Sequence, residues 1–210
     1  MSIFIKKHDL NNDIMTAEGV HDVVYDLIKD SKYILDVGCG TGVFANTLQI
    51  CGHIVEACGL ENCKYNIPFK NVDFNTQLLP YNSNTFDAVT AIEIIEHINN
   101  PHLFIEELHR VTKKGGLVII TSPNVENWYM RIYYLLTGKL LGFNYITMPT
   151  DAENNHISPI IWQIYKPFIE KYFIIEEIIT NRSFIPLLRI KLPFTNMFFA
   201  DTRILKLRKK

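Results

Sequence analysis

Ile34-Leu35-Asp36-Val37-Gly38-Cys39-Gly40-Thr41-Gly42 is the stretch that decides how this chain folds. A short apolar strand, Tyr33 to Val37, runs into glycines at alternate positions. Val43 to Cys51 follows, with apolar residues 44, 45 and 48 at helical spacing. Strand, glycine turn and helix in that order expose bare backbone at the carboxyl edge of a parallel sheet, where a ligand can approach. The spacing then sorts the ligands. A dinucleotide fingerprint needs Gly-x-Gly-x-x-Gly, and Val43 stands where its third glycine would be. Asp36 adds a negative charge near the turn, which suits a pyrophosphate poorly and a cationic ligand well.

Outward from the turn, strand and helix patterns alternate, which predicts a parallel sheet covered on both faces. Ile54 to Leu60 reads as a second strand, Val72-Asp73-Phe74 as a brief third and Phe86 to Ile92 as a fourth. Pro101 sits at a first helical position and opens a helix with apolar residues 103, 104, 105, 108 and 111. Gly115-Gly116 ends the segment after that helix, and Leu117 to Thr121 is a fifth strand, apolar as a central parallel strand is. A helix from Trp128 to Leu136, another from Pro159 to Glu170, and strands at Phe173 to Ile179 and Thr202 to Leu207 complete the chain.

The 210 residues, 48% hydrophobic and 20% charged, suit one domain with a full core. Its core is expected at about 30–122, a lid at about 124–157, and a closing helix and strands at about 158–210. A net charge of −1 supplies no field for nucleic acid. The basic end, Leu205 to Lys210, reads as a solvated terminus. No secretory leader is read at the N-terminus, and no apolar run reaches the roughly 18 residues of a membrane span. The four cysteines form no Cys-x-x-Cys pair, so free thiols in a reducing cytoplasm are expected.

Asp36-x-Gly38-x-Gly40-x-Gly42 after a strand resembles motif I of class I methyltransferases, whose cofactor, S-adenosylmethionine, carries an amino group and a sulfonium. Further segments resemble the same family in its own order. Glu61 ends the second strand, where the family places an acid on both ribose hydroxyls. Asp73, with Phe74 beside it, stands for the acid that meets the adenine, and Asn75 competes for that role. Leu79 to Val89 resembles the passage into the fourth strand, and His109 to Gly116 the passage from helix to fifth strand. The resemblance implies a Rossmann-like α/β fold, doubly wound, with a mostly parallel seven-stranded sheet and a lid inserted after strand 5. It places the cofactor against Asp36, Gly38, Cys39, Gly40, Glu61, Asp73, Phe74, Ile92 and Glu93. Asp87 is read as structural and left outside the site.

A sulfonium already activates its methyl group, so alignment of the acceptor can supply roughly 7–11 kcal/mol of the barrier. A catalytic residue is needed only where the acceptor must lose a proton. On a helical turn Glu93, Glu96 and His97 share one face, and His156 could fold over them. Glu96, His97 and His156 are therefore the candidate catalytic residues, as acid–base or acceptor-orienting groups. Two carboxylates and two imidazoles could also hold a divalent ion of the magnesium type, although no metal ligand is assigned. The pattern is similar to the Glu-x-x-Glu-His plus distant His of ubiquinone-biosynthesis O-methyltransferases and plant small-RNA 2′-O-methyltransferases. That likeness is the only basis for expecting a hydroxyl oxygen as the acceptor atom.

Ser122 to Arg131, Gly138-Lys139-Leu140 and His156 resemble instead the MetW-type branch, partly an accessory branch, although the Glu96-His97 pair departs from it. Aromatic residues crowd the expected lid: Trp128, Tyr129, Tyr133, Tyr134, Phe143 and Tyr145. With the apolar stretch from Phe184 to Phe199, they point to a hydrophobic or lipid-linked acceptor and to peripheral membrane contact. Two further readings stand beside methyl transfer: an accessory cofactor-binding protein that serves a partner enzyme, and a nicotinamide-dependent oxidoreductase, which Val43 and Asp36 disfavour.

Overall fold

The computed structural model describes residues 19–60, 63–143, 156–185, 190–192 and 195–210. Glu61, Tyr145 and most of the second half of the expected lid lie outside the described residues.

The glycine turn joins β1 (Tyr33–Val37) to α2 (Val43–Ile50), with α1 (Val20–Ile28) before them. β2 (Ile54–Gly59), β3 (Phe69–Asn71) and β4 (Phe86–Ala91) follow, then a 3-10 turn at Ile95–His97, α3 (Pro101–Val111) and β5 (Thr112–Pro123). After these come α4 (Trp128–Thr137), α5 (Trp162–Tyr172), β6 (Phe173–Ile179), a small hairpin of β7 (Phe184–Ile185) and β8 (Ile190–Lys191), and β9 (Thr202–Lys209). One seven-stranded sheet carries the order β3-β2-β1-β4-β5-β9-β6. β1 to β5 pair in parallel, and β9 runs antiparallel to both β5 and β6. This is the expected Rossmann-like doubly wound sheet.

Alternation along β1 feeds a core on each face. Ile34 joins Val20, Val24, Phe44 and Leu48 of α1 and α2. Leu35 and Val37 join Phe104, Ile105 and Leu108 of α3 and Ile169 of α5. Asn100 caps α3 by accepting the Leu103 N–H at 3.2 Å, with Pro101 in the first turn.

Three sequence expectations move. The third strand is Phe69–Asn71 rather than Val72 to Phe74; Val72 is buried, and its N–H bonds the Gly59 carbonyl just beyond the strand. Gly115-Gly116 does not end an element. β5 begins at Thr112, and the glycines take up a register shift between Phe86↔Thr112 and Ala88↔Leu117. The basic C-terminus is not a solvated tail. Lys209 is 8% exposed, and its ammonium donates to Asn84 Oδ1 and to the carbonyls of His109 and Thr112, at 2.7–2.8 Å. Asp87 accepts the Tyr33 N–H at 2.9 Å and pairs with Lys113 at 2.6 Å, a structural post at the sheet's amino edge. Among the described residues, no helix is long and apolar enough to cross a membrane.

Candidate active site

Every candidate among the described residues lies at or just beyond the carboxyl edge of the sheet. β1 ends in the turn, where the N–H groups of Gly38 and Cys39 both donate to the Cys58 carbonyl at the end of β2, at 2.8 and 3.3 Å. Gly38 has φ +74, and a Cβ there would lie 2.7 Å from Ile94 Cγ1. Gly40 has φ +50 and open space where its side chain would be. The turn is thus closed beneath Gly38 and bare above Gly40, as a ligand pressed against backbone requires.

Asp36 lies below this turn and is 2% exposed. Its Oδ1 accepts the Thr90 hydroxyl at 2.8 Å. Burial pushes its carboxyl up to about 7, the Thr90 bond opposing. Such a group gains by meeting a cation. Beyond β4, Glu93 holds φ +50, a conformation that costs a non-glycine residue about 1–3 kcal/mol. Thr121 secures it twice, accepting the Glu93 N–H at 2.9 Å and donating to its Oε1 at 2.8 Å. Burial raises the Glu93 carboxyl to about 7, and Asp201 adds to the shift.

The 3-10 turn then brings three side chains together. Glu96 is fully buried, and among the described residues neither of its carboxyl oxygens has a hydrogen-bond partner. His156 Nε2 stands 3.9 Å from Glu96 Oε1, and the rings of His97 and His156 meet edge-on at 5.0 Å. One ligand atom from each of the three fits within 4.8 Å. The return of the chain fixes this arrangement, since the N–H groups of Ile157 and Ser158 both donate to the Glu96 carbonyl at 2.9 Å. Burial, then the Glu93 charge, hold the Glu96 carboxyl well above the carboxylate range. Burial and His97 pull His156 down to about 4, so its ring is neutral and offers a lone pair.

A family model described as a methyltransferase domain matches residues 15–158. This chain belongs to that family. The chain is 29% identical over 164 residues to the mitochondrial ubiquinone biosynthesis O-methyltransferase of Dictyostelium discoideum, covering 67% of this chain and 47% of that protein. It is 31% identical over 140 residues to the ubiquinone/menaquinone biosynthesis C-methyltransferase UbiE of Agrobacterium fabrum, covering 55% and 53%. It spans about half the length of these curated relatives. A crystal structure of an S-adenosylmethionine-dependent methyltransferase from Archaeoglobus fulgidus shares the fold at TM-score 0.64 and 16% identity, over 90% of this chain and 94% of that one.

In this chain the remaining candidates take distinct places. Ile92, 7% exposed, joins the α1–α2 core, and Phe74 packs on Phe104 at 5.6 Å. Asp73 spends both carboxylate oxygens on its own turn, accepting the Asn75 N–H at 2.9 Å and the Thr76 hydroxyl at 3.0 Å. Asn75 Oδ1 accepts the Asn99 N–H at 2.7 Å, tying that turn to the segment after His97. The short link from β2 to β3 carries no helix among its described residues.

Four functional positions escaped the sequence reading. Thr90 and Thr121 hold Asp36 and Glu93; Thr90 is the one hydroxyl residue of β4, and Thr121 follows the apolar run Leu117 to Ile120 of β5. Arg203, 4% exposed, donates to Glu126 Oε2 at 2.8 Å, and the same oxygen accepts the Trp162 N–H at 2.9 Å. That pair pins the start of the expected lid to α5. No local pattern could have joined Arg203 to Glu126 across the intervening chain.

Proposed function

We propose that this methyltransferase moves a methyl group from S-adenosylmethionine to a hydroxyl oxygen of a small-molecule acceptor, with Glu96, His97 and His156 around the reacting oxygen. The observation that carries this reading is Glu96, wholly buried with two unpartnered carboxylate oxygens beside two imidazoles. A buried, protonated carboxyl without partners still costs about 1–3 kcal/mol, which a hydroxyl at that position relieves, as does a cation once the proton leaves.

The cofactor's sulfonium supplies an activated methyl, and a divalent cation held by these three residues would acidify the acceptor hydroxyl. The chain's own residues do the rest. The open backbone at Gly40 and the buried Asp36 carboxylate suit the amino-acid end of the cofactor. Glu93, fixed by Thr121, orders the backbone between cofactor and acceptor. As the acceptor oxygen bonds to the methyl carbon, the carbon–sulfur pair returns to sulfur. His97 or His156 takes the hydroxyl proton.

The described part of the lid supports an apolar acceptor. On α4, Leu135 and Leu136 are 82% and 77% exposed, with Ile132 and Tyr134 about half exposed. This surface suits a lipid-linked acceptor met at a membrane surface. The 124–157 segment acts as the lid of a one-domain enzyme working in the cytoplasm.

The test is calorimetry with S-adenosylmethionine and its demethylated product, then turnover on phenolic, sugar and quinone-precursor acceptors with and without Mg2+. Methylated oxygen whose formation falls in His97→Ala and His156→Ala supports the reading. Cofactor binding with no turnover on any acceptor transfers it to the accessory protein, and methylated nitrogen or carbon overturns the choice of oxygen.

A further inference from the structure

The carbonyls of Glu96, His97 and Ile98 close the 3-10 turn after β4, and each meets a donor from a distant segment. The Glu96 carbonyl accepts the Ile157 and Ser158 N–H groups, both at 2.9 Å. The His97 carbonyl accepts Asn75 Nδ2, loosely at 3.5 Å, and the Ile98 carbonyl accepts the Ser158 hydroxyl at 2.6 Å. Carbonyls at the end of a helical turn have no partner within it. Here Ile95, Glu96 and Ile98 are almost wholly buried, so donors must come from elsewhere in the chain. Pro159 disfavours helical backbone at Ser158, which suits a segment that crosses the turn rather than winding onto it.

The Ser158 hydroxyl adds what the two amides do not supply. Both amides converge on one oxygen, and a segment held at one point can rotate about it. The hydroxyl bonds a second acceptor two residues farther along the turn, and two anchors fix a direction as well as a place. His156 lies two residues before Ser158, so its placement depends on that direction. Its Nε2 stands 3.9 Å from Glu96 Oε1, and its ring meets that of His97 at 5.0 Å and 74°. On the other side Asn75 Oδ1 accepts the Asn99 N–H at 2.7 Å, which braces the turn independently of Ser158. Loss of the hydroxyl therefore frees the His156 segment and not the turn.

We propose that Ser158 is a positioning residue for methyl transfer, whose hydroxyl sets the angle at which His156 faces Glu96 and His97. This rests on the proposed function for the reaction that the three side chains serve, and on the hydrogen bonds alone for their placement. The hydroxyl proton is spent on the Ile98 carbonyl, so Ser158 acts through the backbone and not on the acceptor. Displacing a reacting group by about 1 Å can cost on the order of a hundredfold in rate. The loss falls on turnover, because the cofactor's glycine turn lies on other elements.

The chain has seven histidines, and His97→Ala and His156→Ala identify their two ring signals in a carbon–proton correlation spectrum of the intact protein. In Ser158→Ala the His156 signal should move or broaden, and that of His97 should follow through the ring contact. The other histidine signals should stay in place. Ser158→Thr keeps the hydroxyl and should restore both. With S-adenosylmethionine and a phenolic acceptor that the wild type methylates, Ser158→Ala should lose at least about tenfold in kcat. The cofactor KM should stay within about twofold, and Ser158→Thr should regain the rate. A His156 signal or a kcat unchanged in Ser158→Ala overturns the proposal. So does a movement of all the histidine signals, as from loosened packing, or a defect that Ser158→Thr leaves in place. If the wild type methylates no acceptor, the proposed function fails, and the two ring signals still decide whether Ser158 places His156.

Discussion

His156 Nε2 stands 3.9 Å from Glu96 Oε1, and the backbone N–H groups of Ile157 and Ser158 hold it there by bonding the Glu96 carbonyl. The end of the lid region is thereby fastened to the turn that follows β4. Its site side chain arrives with the fastening. The Phe143 ring lies 5.1 Å from that of His156, so both described flanks of the 144–155 segment come together at the site.

If these residues hold a divalent cation, Mn2+ should bind the intact protein and be detected by electron paramagnetic resonance. Glu96→Gln and His156→Ala should each weaken it at least about tenfold, while affinity for S-adenosylmethionine stays within about twofold. Mn2+ binding that survives both substitutions would remove the cation from the site.

Asp36 gives a pH signature. Its folded value, about 7, lies above the ordinary aspartate value of 3.8, so folding favours the protonated acid. The stabilisation is complete below about pH 4 and is lost as the pH rises through 7, on the order of 4 kcal/mol in total. His21 and His156, both pulled down to about 4, act oppositely, while Glu93 and Glu96, both raised, act in the same direction, so the wild-type curve alone does not isolate Asp36. The Tm of wild type minus that of Asp36→Asn isolates it and should fall steadily from pH 4.5 to 7.5. A flat difference refutes the burial argument. The same substitution should weaken the cofactor at least about tenfold at pH 7.5.

Two glycines in one turn should respond differently. In Gly38→Ala the new Cβ meets Ile94 at 2.7 Å with φ at +74, which should cost at least about 2 kcal/mol of folding stability. Gly40→Ala meets open space and costs about 1–2 kcal/mol from its φ of +50 alone. Its larger effect should fall on cofactor affinity. Urea unfolding set beside calorimetry separates the two, and equal losses in both assays for both variants would contradict the assignment of Gly40 to the ligand side.

Arg203→Met should cost about 2–3 kcal/mol, because Glu126 is left partly buried without its cation. The amide of Trp162, which bonds the same carboxylate, should lose hydrogen-exchange protection. Arg203→Met with Glu126→Leu should regain part of the stability. A double variant no better than Arg203→Met would show that the pair is not the pin.

The elements that carry strong periodicity were legible. β1, α2, β2, β4, α3 and β9 stand within a few residues of where the apolar spacing puts them. β3 was misplaced because an edge strand with residues 69–71 half-buried or exposed leaves no apolar pattern, whereas buried Val72 supplies a false one. α1 went unread, although Val20, Val24 and Ile28 keep helical spacing and all are buried. The start of β5 was hidden by Gly115-Gly116, which serve a shift of register inside the strand.

The chain's order of strand, glycine turn and acid determined the sheet, its carboxyl edge and the family, because backbone bareness and apolar period are local properties. Local sequence could also nominate Glu96, His97 and His156. It could not show that Glu96 loses all solvent and both partners, or that His156 returns to within 3.9 Å of it. Nor could it join Arg203 to Glu126. Burial and long-range pairing depend on how the sheet stacks distant segments at one edge, and that information lies in tertiary packing alone.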